Sequence, residues 1–182
     1  APAAVADAFI ATRLGGGAGV GPMAELAERL TALPSGPQVL VVCGTNAVLK
    51  AKVESLAAAR TGRVRAMAFT PHVDLLLEAS DIVVSKAGGL TCAEALVKHT
   101  PLVIFRPTPG QEVGNARWLE AGGAAVHADS LDTVAATVSR WLDDPATLQR
   151  ARDSAARLAR PGAAQQIAER VLESLRLREG GR

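Results

Sequence analysis

The segment "DIVVSKAGGLTCAEAL", Asp81–Leu96, decides the fold of this chain. Its apolar, mostly β-branched run Ile82–Ser85 predicts a short buried strand, and the pair Gly88-Gly89 ends that strand in a tight turn. From about Thr91 the apolar residues recur with helical spacing. The segment therefore predicts a strand, a turn and a helix in succession, which is the repeating unit of an α/β fold.

The same alternation continues on both sides of this segment. Strands that are apolar throughout and alternate with helices are typical of a parallel sheet covered on both faces. We therefore predict one domain over residues 1–182, a doubly wound, Rossmann-like parallel α/β sheet of about six strands. The other predicted strands are Phe9–Leu14, Val39–Cys43, Val64–Phe69, Leu102–Phe105 and Ala124–His127, and the helices among them are Pro22–Leu33, Leu49–Arg60, Val73–Ala79, Thr91–Lys98 and Val113–Ala121.

The last third of the chain has helical patterns only. The predicted C-terminal helices are Leu131–Leu142, Pro145–Arg160 and Ala163–Leu177, and residues 178–182 are expected to form a frayed tail. Acidic residues are interleaved with the arginines of this region, which favours a solvated face over an anion-binding patch. The arginines in question are Arg150, Arg157, Arg160 and Arg170.

Composition excludes several classes of function. The net charge is only +2, aromatic residues make up 3% and tyrosine is absent, so a nucleic-acid surface is not expected. The sequence has no run of about 18 apolar residues, so no membrane span is predicted. Cys43 and Cys92 form no disulfide framework, and Cys43 at the end of an apolar run is interpreted as a small buried hydrophobe. A reducing, cytoplasmic setting is the resulting expectation.

A second glycine-rich turn lies near the start of the chain, "RLGGGAGVGPM", Arg13–Met23. Val20 and Pro22 break the dinucleotide-binding pattern, and no Gly-Lys-Ser/Thr follows, so the standard NAD and ATP motifs are not met. Two interpretations of this turn remain: its backbone N–H groups bind an anion, or it is a tight turn without a ligand. In the first case this turn and the Gly88-Gly89 turn would bring two helix N-termini to one pyrophosphate. Lys86 would either add a positive charge to that site or be an ordinary surface lysine.

Three acidic or amide side chains stand at predicted helix starts. Thr91 and Glu94 fit a capping box, and the alternative for Glu94 is a carboxylate that binds a ribose diol. Gln111 and Glu112 follow a predicted strand in "RPTPGQEVGN", residues 106–115. There is no Asp-x-Asp motif, and the three histidines are scattered along the chain, so neither a metal nor a cofactor is expected.

Four motifs in this order and spacing resemble the C-terminal, donor-binding half of GT-B glycosyltransferases. They are "GGGAGVGPM", "FTPHV", "DIVVSKAGGLTCAEAL" and "RPTPGQEVGNA". The resemblance is to the group of monogalactosyldiacylglycerol synthase and the processive diacylglycerol glucosyltransferases, and more distantly to the N-acetylglucosaminyltransferase of peptidoglycan precursor synthesis. It runs from about Gly15 to Leu172 and implies one half of a GT-B fold with a UDP-sugar site.

The resemblance also implies a role for each matching residue. The glycine turn would approach the phosphates, the loop after the third strand would edge the uracil, the second turn would bind the diphosphate, and the last motif would bind the sugar. In that order the residues are Gly16, Gly17, Ala18 and Gly19; Phe69 and Thr70; Gly88, Gly89, Leu90 and Thr91, with Glu94 on the ribose; and Gln111 and Glu112, with Asn115 supporting their loop.

Inverting transfer of a hexose from a UDP-sugar to a hydroxyl acceptor, such as diacylglycerol, is the reaction that the resemblance implies. The general base and most of the acceptor site would belong to an N-terminal half that is absent from this chain, and the full-length protein would contact the inner face of a membrane peripherally. Two alternatives remain open at this point. One is a nucleotide-sugar binding module without chemistry, and the other is half of a UDP-sugar epimerase.

Overall fold

A computed structural model describes residues 8–13, 21–59 and 62–179 as an alternating α/β chain. The six strands in these ranges are β1 Phe9–Arg13, β2 Gln38–Val42, β3 Val64–Met67, β4 Ile82–Ser85, β5 Leu102–Phe105 and β6 Ala125–Ala128. The helices are α1 Met23–Thr31, α2 Ala47–Ala59, α3 Val73–Glu78, α4 Gly89–Val97, α5 Gln111–Ala121, α6 Leu131–Asp143, α7 Pro145–Leu158 and α8 Ala163–Glu179.

All six strands pair in parallel, in the order β3-β2-β1-β4-β5-β6. The chain moves outward from β1 to β3, returns to place β4 beside β1, and then continues outward to β6. The direction of winding therefore reverses between β1 and β4, where Arg13 aligns with Ser85. This order is that of a doubly wound fold, and it confirms the predicted sheet of about six strands.

Each face of the sheet has its own apolar core, which explains why the strands are apolar throughout. On β5, Val103 and Phe105 pack into the core that contains residues of α1 and α6. Their neighbours Leu102 and Ile104 point to the opposite face and pack with residues of α4 and α5. Successive side chains of a strand point to opposite faces, so a strand covered on both sides has no polar face to show in its sequence.

Several predicted boundaries are wrong by one or two residues. Helix α4 begins at Gly89 and not near Thr91, because Gly88 takes an extended conformation (φ −65°, ψ 134°) and the helix starts at the next residue. Strand β3 ends at Met67, so Phe69 lies beyond the strand, and β6 begins one residue later than predicted. Residues 178 and 179 of the predicted tail are helical, and residues 180–182 lie outside the described part.

Among the C-terminal helices, α6 packs against the sheet. It buries Val134, Val138 and Trp141 in the core that also contains residues of α1. All four arginines of the predicted solvated face are exposed on α7, α8 and the residues that join them (Arg150, Arg157, Arg160 and Arg170). In the part of the chain that the structure describes, no helix combines the length and the apolar character needed to cross a bilayer.

Candidate functional site

The candidate site lies at the carboxyl edge of the sheet, beside the strand at which the winding reverses. Strand β4 ends at Ser85 and β5 ends at Phe105, so the turns that lead into α4 and α5 emerge side by side. Both helices therefore begin at this edge, and each presents N–H groups that have no partner within the helix. In open α/β sheets this edge, near the reversal, is where ligands bind.

The two turns are tied together by the carboxylate of Glu112. Its Oε1 lies 2.9 Å from Nζ of Lys86, in the turn after β4. Its Oε2 accepts a 2.6 Å hydrogen bond from the backbone N–H of Thr108, in the turn after β5. Lys86 Nζ also donates to Thr108 Oγ1 at 3.4 Å. Glu112 is buried, with only 8% of its surface exposed, so these contacts hold the turns in a fixed relation.

The same contacts keep Glu112 ionised. Burial by itself raises the pKa of a carboxyl group, but the hydrogen bonds from Thr108 and the ammonium group of Lys86 outweigh it, and the pKa of Glu112 is lowered. Cys92 lies nearby on α4, and there burial, together with the negative charge of Glu112, raises the pKa of the thiol to about 11. At neutral pH Glu112 is therefore a carboxylate and Cys92 a neutral thiol.

Asn115 connects α5 to the turn after β4. Its Nδ2 donates to the carbonyl oxygen of Ala87 at 3.0 Å. The sequence predicted that Asn115 supports the loop carrying Gln111 and Glu112, but in the structure it supports the neighbouring turn. The reason is helical geometry, because residues three apart lie on the same side of a helix and Glu112 and Asn115 both face α4.

Gly88 and Gly89 are not required by the fold. Neither has the positive φ that favours glycine, and a Cβ at Gly88 would lie 3.5 Å from Oε1 of Glu112, an ordinary contact distance. At Gly89 the nearest atom would be Nδ2 of Asn115, 4.0 Å away. Leu90, the next residue, is 82% exposed. The two glycines therefore leave the N–H groups at the start of α4 uncovered, and a ligand can approach the backbone closely there.

Glu94 does not take part in the predicted capping box, so that prediction is wrong. The N-cap of α4 is Gly88, which has no side chain to cap the helix, and Thr91 is already inside the first turn. A capping box needs the threonine at the N-cap itself. Glu94 is exposed on the second turn, on the same side of the helix as Leu90 and Thr91. Its carboxylate is thus positioned near the open start of α4.

The loop between β5 and α5 carries backbone conformations that constrain its shape. Gly110 is the N-cap of α5 with φ 87° and ψ −83°, a region that residues with a Cβ rarely adopt. Arg106 has φ 51°, which is uncommon for a residue other than glycine, and its guanidinium group lies 5.2 Å from the ring centroid of Phe105. Gln111 follows Gly110 directly and is exposed. The backbone conformations of this loop therefore determine where the Gln111 side chain lies.

Other predicted site residues lie farther away or outside the described part of the chain. Phe69 and Thr70 are in the loop after β3, at the same edge of the sheet, and Phe69 is 66% exposed. Strand β3 is three strand spacings from β4, or about 14 Å, so the loop that carries Phe69 and Thr70 does not belong to the Glu112 cluster. The predicted phosphate turn, Gly16, Gly17, Ala18 and Gly19, lies outside the described residues.

Sequence reasoning missed two features of this site. Lys86 was considered only as an added charge or a surface lysine, and its pairing with Glu112 was not predicted. The strained backbone of Arg106 was also missed, although its position directly after a buried strand and before a proline marks a sharp bend. Such a conformation at the edge of a site is a feature that often accompanies function.

Comparison with known families identifies the family of this chain. Residues 15–168 match the family model described as the glycosyltransferase family 28 C-terminal domain. The chain belongs to this family. The match includes both glycine turns, the Lys86–Glu112 pair and the helices that present them.

Two relatives with 30% identity or more have names that refer to diacylglycerol or its galactolipid. The chain is 32% identical over 149 residues to a processive diacylglycerol β-glucosyltransferase of Bacillus pumilus, covering 82% of this chain and 39% of that protein. It is 33% identical over 169 residues to the probable monogalactosyldiacylglycerol synthase 3 of Oryza sativa, a chloroplastic protein, covering 88% of this chain and 33% of that one. The chain therefore spans between a third and two fifths of the length of these relatives.

Solved structures give the same fold. The crystal structure of MurG from Acinetobacter baumannii superposes with a TM-score of 0.73 at 20% identity, over 95% of this chain and 55% of that one. At this identity the likeness concerns the fold alone. It agrees with the predicted half of a GT-B fold.

Proposed function

We propose that the chain is the donor-binding half of an inverting, UDP-sugar-dependent glycosyltransferase that transfers a hexose to a hydroxyl group. The observation that carries this proposal is the pairing of two helix starts at the reversal of the sheet, fixed by Glu112 and left uncovered at Gly88 and Gly89. The names of the relatives favour glucose or galactose as the hexose and diacylglycerol as the acceptor.

The start of α4 is suited to the diphosphate of the donor. Gly89, Leu90 and Thr91 form the first turn of the helix, and the first N–H groups of a helix point toward its open end. The positive end of the helix dipole adds to them, and no rearrangement is needed when negative charge builds up on the departing UDP. Gly16–Gly19, which follow β1 in the sequence, are also assigned to the phosphates.

The start of α5 is suited to the sugar. Gln111 is exposed and offers both a donor and an acceptor, and Glu112 offers an ionised carboxylate fixed in position. Hexose hydroxyl groups donate and accept hydrogen bonds, so this pair can bind them without a formal charge on the ligand. Glu94, on the second turn of α4, is assigned to the ribose diol, and Phe69 and Thr70 to the uracil.

The acceptor and the general base are assigned to the part of the relatives that this chain does not span. The full-length protein is proposed to act in the cytoplasm and to contact the inner face of the membrane peripherally, since its acceptor would be a membrane lipid. No cofactor and no nucleic-acid partner are part of the proposal.

Ligand selectivity tests the proposed function. The chain is expected to bind UDP, UDP-glucose or UDP-galactose more tightly than AMP or NAD, because its glycine turns lack the dinucleotide fingerprint. Isothermal titration calorimetry with the five ligands measures the order directly. Binding of NAD that equals or exceeds binding of UDP would contradict the proposal.

The substitution Glu94→Gln tests the assignment of the ribose. We expect it to weaken UDP binding by about 1–3 kcal/mol, the range for hydrogen bonds to a charged group. A thermal unfolding curve is measured in parallel, so that a loss of stability is not mistaken for a loss of contacts with UDP. The matched control is Glu173→Gln, which removes an exposed carboxylate on α8. Unchanged UDP affinity in Glu94→Gln would remove Glu94 from the site.

A further inference from the structure

Lys86 connects the rigid end of a strand to the carboxylate assigned to the sugar. It follows Ser85, the last residue of β4, which is 1% exposed, so its backbone is anchored in the core of the sheet. Its side chain reaches across to α5, where Nζ lies 2.9 Å from Oε1 of Glu112. The pair is asymmetric, since the Lys86 side chain is 33% exposed and that of Glu112 only 10%.

The internal contacts leave Glu112 a limited capacity to bind a ligand. An ionised carboxylate has about four acceptor sites, two on each oxygen. Lys86 contacts Oε1, the N–H of Thr108 donates to Oε2, and the side chain of Thr108 also hydrogen-bonds the carboxylate. Three of the four sites are thus used by internal contacts. The direction that the remaining site faces depends on the orientation of the carboxylate, which these contacts together fix.

Removal of the Lys86 side chain would change this orientation and leave in place the backbone hydrogen bond from Gly88 N–H to the Lys86 carbonyl oxygen. Glu112 would keep its hydrogen bonds from Thr108 and would lose the contact that holds Oε1 beside Gly88, where an added Cβ would lie 3.5 Å from that oxygen. A carboxylate with 8% exposure that loses its ammonium partner is also poorly solvated, so it would reorient toward water or bind a proton.

We infer that Lys86 is a positioning residue for the donor sugar, acting through Glu112, and that it is not a ligand of the diphosphate. This inference rests on the proposed function, because it assumes that the chain binds a UDP-hexose. It predicts that Lys86 affects the affinity for the sugar portion of the donor and has little effect on the affinity for UDP.

The test compares UDP with UDP-glucose and UDP-galactose, by calorimetry on the full 182-residue chain. In Lys86→Met the affinity for the preferred UDP-hexose should fall about 10- to 100-fold, as for loss of a hydrogen bond to a charged group, while the affinity for UDP stays within about twofold. Glu112→Gln should show the same selective loss. Lys86→Arg should restore part of it, because a guanidinium group also pairs with a carboxylate.

A double variant separates positioning from an independent contact. If Lys86 acts through Glu112, then Lys86→Met combined with Glu112→Gln should bind UDP-hexose no more weakly than the weaker single variant. Lys98→Met is the matched control, since it removes a lysine from another ion pair between elements, with Glu78 at 2.5 Å, and Lys98 follows the C-terminal end of α4. It should leave binding of both ligands unchanged.

The outcomes are distinguishable. Equal losses for UDP and UDP-hexose in Lys86→Met, additive losses in the double variant, or unchanged binding in Lys86→Met would each overturn the inference and leave the proposed function intact. A wild-type chain that binds neither ligand would overturn the proposed function, and the inference with it. If Lys86→Met does not fold, Lys86→Gln carries the same comparison, since it removes the charge and retains a donor.

Discussion

The 182-residue chain is expected to bind a UDP-hexose and to transfer no hexose to diacylglycerol. Displacement at the anomeric carbon needs a base within hydrogen-bond reach of the acceptor hydroxyl. The described site offers two carboxylates, Glu94 and Glu112. Glu112 is a poor base at neutral pH because its pKa is lowered, and it is already paired with Lys86. Glu94 is assigned to the ribose, so neither carboxylate remains for the acceptor.

Orientation of the acceptor is the second missing contribution. Holding two reactants in the geometry of attack can account for about 7–11 kcal/mol of the barrier in well-oriented systems. The chain spans 39% of the Bacillus pumilus relative, and the proposal assigns the acceptor surface to the rest of that length. Without it the expected turnover is lower by many orders of magnitude, which is the largest effect among these predictions.

The measurement uses labelled UDP-glucose and UDP-galactose with diacylglycerol in lipid vesicles. The positive control is the full-length processive diacylglycerol β-glucosyltransferase of Bacillus subtilis, to which the chain is 31% identical over 136 residues. Free hexose is measured as well, so that hydrolysis of the donor is not mistaken for transfer. Time-dependent formation of a glycolipid by the chain alone would show that the base lies within residues 1–182.

Gly89→Val is expected to give the largest loss of donor affinity among the single substitutions. The valine side chain would cover the N–H groups at the start of α4 that are assigned to the diphosphate. We expect UDP affinity to fall at least ~100-fold, about 3 kcal/mol, because hydrogen bonds to a charged group are lost and the phosphate is displaced. The fold should tolerate the change, since the nearest atom to a Cβ at this position is 4.0 Å away.

Calorimetry with UDP and a thermal unfolding curve together test this prediction. Gly162→Val is the control, because Gly162 lies between α7 and α8 and a Cβ there would meet only Nε2 of Gln166, at 3.4 Å. A folded Gly89→Val variant that binds UDP as tightly as the wild type would exclude the start of α4 as the diphosphate site. An unfolded variant would show that Gly89 is needed for the fold, contrary to its open surroundings.

The sequence predicted the architecture well because the architecture depends on local patterns. Apolar runs such as Ile82–Ser85 and Leu102–Phe105 match β4 and β5 residue for residue. Such runs cannot present a polar face, so helices must cover both sides of the sheet, and the two cores on opposite faces of β5 confirm it. Glycine turns at strand ends likewise indicated where helices begin, although the start of α4 was predicted two residues late.

The identities of the candidate residues were also available from the sequence, but their relations to one another were not. Gln111 and Glu112 were predicted at a helix start, and α5 begins at Gln111. Thr91 and Glu94 fit a capping box in sequence, yet the helix begins at Gly89 and makes Gly88 the N-cap. The four-residue motif shows that Thr91 and Glu94 have the spacing of a capping box. The residue at which the helix starts depends instead on the backbone conformation of the turn between β4 and α4.

Tertiary structure alone decided how the two turns are joined. The Lys86–Glu112 pair and the Asn115–Ala87 hydrogen bond each connect residues that are distant in sequence. They form because β4 and β5 are adjacent and parallel, with Ser85 aligned with Ile104, which brings the turns after both strands to the same edge. The sequence by itself determined which residues form strands, turns and helices, since these follow from local periodicity. The strand order and register decided which of their side chains meet, and with them the pairing of Lys86 with Glu112.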